Sequence, residues 1–297
     1  MNTTQLRFPS NRIRDIERQM HKELHFLYPN EEIDSFFQIL VQAFLGWDKA
    51  QWLLHRDQTI NQSDLLQFHW AIEDLLKERP IQYITGTTCF CGLQIHVDER
   101  VLIPRPETAE MVDSIIRQYN IEKRVPYSIL DLCTGSGCIA IVLKNQFPES
   151  KVTATDLSVE ALDVAKENAK VNQANIDFRH EDLLHRVEND TTDTYDLIVS
   201  NPPYVMEHER QSMNNNVLHY EPATALFVPD SNPLQYYEAI ASIAAHSLNK
   251  DGKLFVEINE QLGALTAAVL QRHHFDTVIH QDFLGKDRYI EASRTTA

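Results

Sequence analysis

A polar corner closes one apolar segment of the chain, at Ser200–Tyr204 (SNPPY). The five residues before it, Tyr195 to Val199, have the pattern of a buried strand. Pro202 and Pro203 cannot donate a hydrogen bond to a neighbouring strand, so the strand must end here. The asparagine amide of Asn201 is then held at a rigid strand end, which makes the corner a candidate ligand site.

A second candidate is the segment Leu130–Cys138 (LDLCTGSGC). A strand that ends near Asp131 leads into a turn that contains Gly135 and Gly137, and a helix follows. Glycine lets the backbone approach a ligand closely at the carboxyl end of a strand, where open α/β sheets bind ligands. The segment is not the dinucleotide fingerprint GxGxxG, because Cys133 stands where the first glycine is expected. A plain strand-to-helix turn, which also uses glycine, is the alternative.

Acidic residues end the next two strands. Asp156 follows the glycine turn by about 20 residues, the spacing at which a carboxylate reaches ribose hydroxyl groups. An N-cap for the following helix is the alternative, although Ser158 competes for that position. Asp182 ends the third strand, where it is able to accept a hydrogen bond from an adenine amino group. With SNPPY, four consecutive strand ends place polar residues or glycine on one edge of the sheet, and packing alone does not explain this convergence.

The elements that position these residues alternate between strand and helix from about Tyr127 onward. This alternation predicts an α/β fold with a mostly parallel sheet and helices on both faces, closed by a C-terminal β-hairpin. Residues 10–80 have helical apolar spacing, and the chain from Ile81 alternates like a β-hairpin. The predicted domains are a helical bundle over residues 1–80, a β-hairpin linker over 81–104 and an α/β domain over 105–297. The bundle is either a stabilising appendage or a docking domain for a partner.

The composition excludes several classes of function. The 297 residues carry a formal net charge of −16, which argues against a protein that binds nucleic-acid phosphates over a wide surface. No apolar run approaches the roughly 20 residues that cross a membrane, and no signal-peptide core opens the chain. The four cysteines lack companion ligands at zinc spacing. We therefore expect a cytoplasmic protein with free thiols, no metal and no membrane partner.

The order of these motifs resembles that of class I S-adenosylmethionine-dependent methyltransferases. Within that class, NPPY resembles the signature of enzymes that methylate planar nitrogens, either adenine N6 or glutamine amides. The segments LIPRPETAEMV (Leu102 to Val112), YEPATALF (Tyr220 to Phe227) and GKDRYIEA are similar to those of bacterial peptide chain release factor N5-glutamine methyltransferases. The likeness covers Arg79 to Arg294. It implies a Rossmann-like class I methyltransferase sheet with an N-terminal helical bundle and a β-hairpin linker.

The resemblance also implies a cofactor site for S-adenosyl-L-methionine at the strand ends. The residues expected to form it are Asp131, Cys133, Thr134, Gly135, Ser136, Gly137, Asp156, Leu157, Asp182, Leu183 and Asn201. Cys133 departs from the family pattern, which often has glycine there.

For the substrate, the resemblance implies that the Asn201 side-chain oxygen and the Pro202 carbonyl accept the two N–H bonds of an amide. Pro203 then keeps the corner rigid and Tyr204 packs on the flat amide. Arg105 and Glu107 lie near the substrate in the family pattern, although a surface ion pair at a helix start is an equal alternative.

The expected reaction is methyl transfer to the glutamine of the Gly-Gly-Gln (GGQ) loop of release factors, by a monomer that makes no direct contact with nucleic acid. A glutamine methyltransferase for a ribosomal protein is a close alternative. An adenine-N6 enzyme needs a groove for nucleic acid and room for a flipped base, and the net charge argues against it. A cofactor-binding module without catalysis is a further alternative, which the intact NPPY disfavours.

Overall fold

The computed structural model describes residues 8–185, 193–282 and 284–295. The helices, numbered in chain order, are α1 (Ile13–Leu24), α2 (Asn30–Leu45), α3 (Lys49–Leu54), α4 (Gln62–Leu75), α5 (Ile81–Thr85), α6 (Pro106–Glu122), α7 (Cys138–Gln146), α8 (Val159–Val171), α9 (Asn215–Tyr220), α10 (Ala223–Leu226), α11 (Gln235–Ser247) and α12 (Gly263–Arg272). The strands are β1 (Thr87–Phe90), β2 (Leu93–His96), β3 (Ser128–Leu132), β4 (Lys151–Asp156), β5 (Asp177–His180), β6 (Tyr195–Ser200), β7 (Val205–Met206), β8 (Phe227–Val228), β9 (Leu248–Glu257), β10 (Phe275–Gln281) and β11 (Asp287–Arg294).

The chain divides into two compact units. The first runs to Gly86 and also includes Asn215–Tyr220, and the second comprises Thr87–Asn214 and the chain from Glu221. The first unit contains α1 to α5 and α9, and an isolated β-bridge pairs Arg12 with Thr59 among its described residues. The second contains the strands and the remaining helices.

Apolar spacing produces the helical unit. The apolar face of α1 has the predicted three- and four-residue spacing and is fully buried, at Ile13, Ile16, Met20 and Leu24. Helix α2 ends at Gly46, whose φ of 68° lies in the left-handed region that glycine adopts at low cost. Helix α4 begins at Asn61, whose side chain accepts a hydrogen bond from the Asp64 N–H.

The prediction that a β-hairpin begins at Ile81 is wrong in its first residues. Ile81–Thr85 form the short helix α5, and the hairpin occupies Thr87–His96. Pro80 precedes the helix with a φ of −55°, and Gly86 ends it with a φ of 72°. A proline at a helix start and a left-handed glycine at its end favour a helical turn over the alternating pattern.

The second unit is built on a seven-stranded sheet of order β10-β11-β9-β6-β3-β4-β5. Neighbours from β9 to β5 are parallel, and β11 pairs antiparallel with both β9 and β10. This confirms the predicted α/β fold with a mostly parallel, Rossmann-like sheet and a closing hairpin. The strand order reverses between β3 and β6, and open sheets bind ligands at the carboxyl ends of the strands beside such a reversal.

Within the second unit, Asn168 on α8 holds the β1–β2 hairpin. The Asn168 Oδ1 atom accepts a hydrogen bond from the His96 N–H at 2.7 Å, and its Nδ2 donates to the carbonyl oxygens of His96 and Ser136, both at 2.9 Å. One buried amide thereby ties the hairpin to the glycine turn.

In the part of the chain that the structure describes, no helix has both the length and the apolar character that crossing a membrane requires.

Candidate active site

A cavity of about 400 Å³ lies at the carboxyl ends of β3, β4, β5 and β6. Its wall includes ten of the predicted site residues, namely Cys133, Thr134, Gly135, Ser136, Asp156, Leu157, Asp182, Leu183, Asn201 and Pro203. The segment before α6 adds Glu99 to Leu102, Pro104 and Thr108. The structure therefore brings the glycine turn, both acidic strand ends and the asparagine corner to one site.

The glycine turn is held by Asp131 from inside the sheet. Asp131 is fully buried, and its Oδ2 accepts hydrogen bonds from the Thr134 hydroxyl at 2.6 Å and the Ala140 N–H at 3.2 Å. Its Oδ1 is buried without a hydrogen-bond partner among the described residues. Burial raises the pKa of Asp131 to about 7. Asp131 does not line the cavity, and the hydrogen bonds that it accepts support the turn.

The two glycines of the turn have different surroundings. Gly135 has a φ of 54°, and a Cβ there would meet nothing within 4 Å, so a ligand is able to approach its backbone. Gly137 has a φ of 79°, and a Cβ there would lie 3.0 Å from Ala165 Cβ. Gly137 is absent from the cavity wall. Its position favours the close packing of α7 on α8.

Cys133 occupies a left-handed position, with a φ of 60°. Glycine adopts this conformation without steric cost, whereas the Cβ of a cysteine makes it less favourable. The Cys133 side chain packs against the core beneath the sheet edge. Burial raises the pKa of its thiol well above the ordinary value, so the group is neutral.

The Asp156 carboxylate spans the turn and the next helix. Its Oδ2 accepts a hydrogen bond from the Gly135 N–H at 2.8 Å, and its Oδ1 accepts one from the Ser158 N–H at 2.9 Å. Ser158 is the N-cap of α8, as its spacing predicted, because its hydroxyl accepts from the Ala161 N–H at 3.1 Å. A carboxylate has about four acceptor positions, so Asp156 retains capacity to accept from a ligand in the cavity.

Asp182 also lies on the wall. Its Oδ2 is 2.7 Å from His185 Nδ1, and its Oδ1 accepts from the Leu184 N–H at 3.0 Å. The hydrogen bond with His185 lowers the pKa of Asp182. The neighbouring Leu183 is buried and adds an apolar surface to the same wall.

At the asparagine corner, the amide of Asn201 is fixed by Thr108. The Asn201 Nδ2 donates to the Thr108 hydroxyl oxygen at 3.1 Å, and that hydroxyl donates to Glu257 Oε2 at 2.6 Å. Tyr204 is turned away from the cavity, because its hydroxyl donates to Glu257 Oε1 at 2.8 Å and its ring packs on the sheet core. Neither Tyr204 nor Pro202 belongs to the cavity wall.

Arg105 and Glu107 also stand away from the wall and do not pair with each other in the structure. Arg105 Nη2 lies 2.5 Å from Glu221 Oε1, and the same buried carboxylate accepts from the Ile103 N–H at 3.1 Å. Glu107 Oε1 is 3.9 Å from Arg288 Nη2. Arg105 therefore fastens the segment before α6 to the chain before α10.

Two family models match the chain. The "Methyltransferase small domain" matches residues 117–225, and the "PrmC N-terminal domain" matches residues 18–86. The chain is 39% identical over 283 residues to the release factor glutamine methyltransferase of Flavobacterium psychrophilum, covering 95% of this chain and 99% of that protein. The chain belongs to the release factor glutamine methyltransferase family.

Two further proteins are similar to this chain. The release factor glutamine methyltransferase of Bacteroides thetaiotaomicron is 39% identical over 280 residues, which cover 94% of this chain and 99% of that protein. A solved protein-(glutamine-N5) methyltransferase (release factor-specific) from Alicyclobacillus acidocaldarius is 26% identical, with a TM-score of 0.40, and covers 65% of this chain and 95% of that structure.

In this release factor glutamine methyltransferase, sequence reasoning missed the polar residues behind the asparagine corner. Thr108 and Glu257 are buried and join Asn201 from α6 and from the end of β9. Asn259, just beyond β9, donates to the Tyr204 carbonyl oxygen at 3.2 Å. The signal was a charged residue, Glu257, inside the apolar strand pattern LFVEI, at the same sheet edge as SNPPY.

The wall of the cavity is acidic. Glu99, Asp156, Glu160, Glu181 and Asp182 face it, whereas Arg100 is its only basic side chain among the described lining residues. Arg100 is itself paired with Asp98, at 2.6 Å between Nη2 and Oδ2. Such a wall favours a ligand that carries positive charge. Within the described ranges, no group of three or more His, Cys, Asp or Glu side chains is placed to hold a metal ion.

Proposed function

We propose that this family member transfers a methyl group from S-adenosyl-L-methionine to the side-chain amide nitrogen of the glutamine in the GGQ loop of peptide chain release factors. The observation that carries the proposal is the asparagine corner. Asn201 lines the cavity while its NH₂ group is bound to Thr108, so its carbonyl oxygen is the atom available to a substrate N–H.

The chain's own groups fit the cofactor. A backbone that is open at Gly135, a carboxylate at Asp156 for ribose hydroxyls and an apolar wall at Leu183 match a nucleoside, and the acidic wall suits a sulfonium cation. The cavity of about 400 Å³ lies in the range of small-molecule sites. S-adenosylmethionine, when bound, supplies a methyl group that is already activated.

The remaining task of the protein is orientation. An amide nitrogen is a poor nucleophile, because its lone pair is delocalised into the carbonyl group. Hydrogen bonds from the amide to Asn201 Oδ1 and to the Pro202 carbonyl oxygen would fix the nitrogen in one direction, and prolines 202 and 203 keep that corner rigid. No strong general base is required, because the amide proton becomes acidic only after the methyl group has moved.

We further propose that residues 1–80 dock the body of the release factor, that 81–104 form a linker whose hairpin is confined to Thr87–His96, and that 105–297 are the catalytic domain. A glutamine in a glycine-rich loop offers little surface, so selectivity for a whole release factor needs contacts elsewhere. The match of residues 18–86 to a separate family domain supports this division. The enzyme is proposed to act as a cytoplasmic monomer without direct contact to nucleic acid.

The test compares three substrates under one condition. The protein is incubated with S-adenosylmethionine labelled in its methyl group and with one of three substrates. These are a release factor, a ribosomal protein that is a candidate for glutamine methylation, and an adenine-containing oligonucleotide. We expect label in the release factor alone, and no label when its GGQ glutamine is replaced by asparagine. Label in the ribosomal protein or the oligonucleotide, with none in the release factor, would overturn the assignment.

A further inference from the structure

A buried chain of hydrogen bonds determines which end of the Asn201 amide faces the cavity. The Asn201 Nδ2 donates to the Thr108 hydroxyl oxygen at 3.1 Å, and that hydroxyl donates to Glu257 Oε2 at 2.6 Å. Thr108 is 2% exposed and Glu257 is 3% exposed, so water does not substitute for these bonds. This series of hydrogen bonds joins residues from α6, from β9 and from the end of β6.

The direction of the bonds follows from a count of protons. A hydroxyl has one proton, and a carboxylate can only accept. Glu257 accepts at both oxygens, from Thr108 and from Tyr204. With its proton committed to Glu257, the Thr108 oxygen is able to act toward Asn201 only as an acceptor. Asn201 must then present its NH₂ group to Thr108 and its carbonyl oxygen to the cavity.

The two hydroxyl donors, one on each oxygen of Glu257, set this direction. Burial raises the pKa of Glu257, and the hydrogen bonds from Thr108 and Tyr204 oppose that rise without cancelling it. In this arrangement both oxygens of Glu257 act as acceptors. A neutral amide at this position would place its NH₂ donor opposite either Thr108 or Tyr204 and disturb the sequence of donors and acceptors.

We propose that Glu257 and Thr108 are positioning residues that hold Asn201 with its Oδ1 toward the substrate amide. The inference rests on the proposed function, since it assigns these residues to the same methyl transfer. A reversed Asn201 amide would aim an NH₂ group at the NH₂ group of the glutamine, and two donors cannot bond each other.

Two nearly isosteric variants test the proposal. Thr108→Val removes the hydroxyl, and Glu257→Gln replaces one of the two acceptor oxygens with an NH₂ donor. We expect each to lower kcat at least about tenfold, with the affinity for S-adenosylmethionine changed less than about threefold, because the loss lies in alignment. Thr108→Ser keeps the hydroxyl and is expected to retain most of the activity.

The matched control is Tyr237→Phe. The Tyr237 hydroxyl donates at 3.2 Å to the backbone oxygen of Glu257 and not to its carboxylate. This variant perturbs the same buried residue without changing the direction of the chain, so kcat is expected to stay within about twofold. A tenfold loss in Tyr237→Phe would mean that any disturbance of Glu257 lowers activity, and would overturn the proposal.

A double-mutant cycle identifies the residue through which Thr108 acts. If Thr108 works by orienting Asn201, then Thr108→Val should cause no further loss once Asn201→Ala is present. Single-turnover transfer of a radiolabelled methyl group measures the residual rates. Equal fractional losses from Thr108→Val in both backgrounds would contradict the proposal.

A spectroscopic measurement separates this inference from the proposed function. The side-chain amide resonances of Asn201, assigned by their absence in Asn201→Ala, should shift in Thr108→Val and Glu257→Gln and stay unchanged in Tyr237→Phe. If the wild-type protein fails to methylate the GGQ glutamine but these shifts occur, the proposed function is wrong. The proposal that Thr108 and Glu257 orient Asn201 is then still supported. If the wild type is active and the resonances do not shift, the proposal that Thr108 and Glu257 orient Asn201 is wrong.

Discussion

Two side chains at the strand ends, Asn201 and Asp156, bond to the protein and also line the cavity. Asn201 uses its NH₂ group on Thr108, and both oxygens of Asp156 accept from backbone N–H groups. These internal bonds hold each side chain in one orientation before any ligand arrives. Prior orientation of this kind lowers the entropy that binding and reaction must overcome.

Replacing Asn201 with alanine should separate chemistry from binding. The variant loses the oxygen proposed to align the substrate amide, so kcat is expected to fall at least about a hundredfold. Cofactor affinity, measured by calorimetry, should change less than about threefold. Equal losses in both quantities would mean that Asn201 is mainly a cofactor ligand or a structural residue.

Replacing Asp156 with alanine should weaken the binding of S-adenosylmethionine by about 1–3 kcal/mol, because charge-assisted hydrogen bonds are lost. Calorimetry measures the effect, and circular dichroism confirms that the variant is folded. Asp163→Ala is the matched control, because Asp163 is an exposed acidic residue of α8 that does not line the cavity. Unchanged cofactor affinity in a folded Asp156→Ala, or an equal loss of affinity in Asp163→Ala, would contradict the assignment.

The buried carboxyl of Asp131 makes the free energy of unfolding depend on pH. Its pKa rises from 3.8 to about 7 on folding, so between these values the folded state holds a proton that the unfolded state has released. The contribution of Asp131 to stability is therefore most favourable near pH 4 and is lost as pH rises toward 7, by up to about 4 kcal/mol.

Urea unfolding of the wild type and of Asp131→Asn across this range isolates the effect. The asparagine cannot titrate, so the difference in unfolding free energy, wild type minus variant, should fall as pH rises from 4 to 7. Other acidic groups affect both proteins equally. Parallel curves would show that the Asp131 carboxyl does not hold its proton in the folded state.

At the scale of elements, the turn between β3 and α7 combines two requirements on glycine. Gly135 leaves its backbone open to the cavity, and Gly137 lets α7 approach α8. The sequence predicted a glycine turn at a strand end but assigned both glycines to the ligand. The contact between Gly137 and Ala165 joins two helices, and local spacing does not report such a contact.

Gly137→Ala should therefore be more destabilising than Gly135→Ala. Both substitutions place a Cβ at positive φ, which costs about 1–2 kcal/mol, but only at Gly137 does the added Cβ also meet a neighbour, at 3.0 Å. The extra crowding is expected to cost about 1 kcal/mol more. Chemical denaturation measures both values, and equal losses would refute the packing role of Gly137.

The elements themselves were largely predictable. Alternating strand and helix patterns predicted the parallel sheet and its closing hairpin, and Ser158 marked the start of a helix. The first turn after Pro80 was misassigned, because five residues between a proline and a glycine carry too little periodicity to separate a helix from a strand. The bond between Thr108 and Glu257 joins residues 149 positions apart, and no local pattern encodes such a pairing.

At the scale of the whole molecule, the helical unit and the α/β unit each have their own core. The helical unit exposes large apolar side chains, among them Phe26, Leu54 and Trp70, which are 66%, 80% and 57% exposed. Exposed aromatic side chains are frequent anchors at protein interfaces. They are therefore sensible positions at which to test docking without removing any part of the chain.

Trp70→Glu is expected to raise KM for an intact release factor about tenfold, while leaving transfer to a short GGQ peptide within about twofold. Val171→Glu is the matched control, because Val171 is a 74% exposed apolar residue of the α/β unit. Thermal unfolding checks that both variants fold. Parallel losses on protein and peptide, or none with Phe26→Glu and Leu54→Glu as well, would leave the helical unit as a stabilising appendage.

The central claim is that Asn201 directs a methyl group onto a glutamine side-chain nitrogen. Tandem mass spectrometry of the release factor, after incubation with S-adenosylmethionine and either the wild type or Asn201→Ala, tests it most directly. We expect one added methyl group on the side chain of the GGQ glutamine with the wild type, and at least about a hundredfold less with the variant. A release factor left unmodified by the wild type, or methylated at another residue, would contradict the claim.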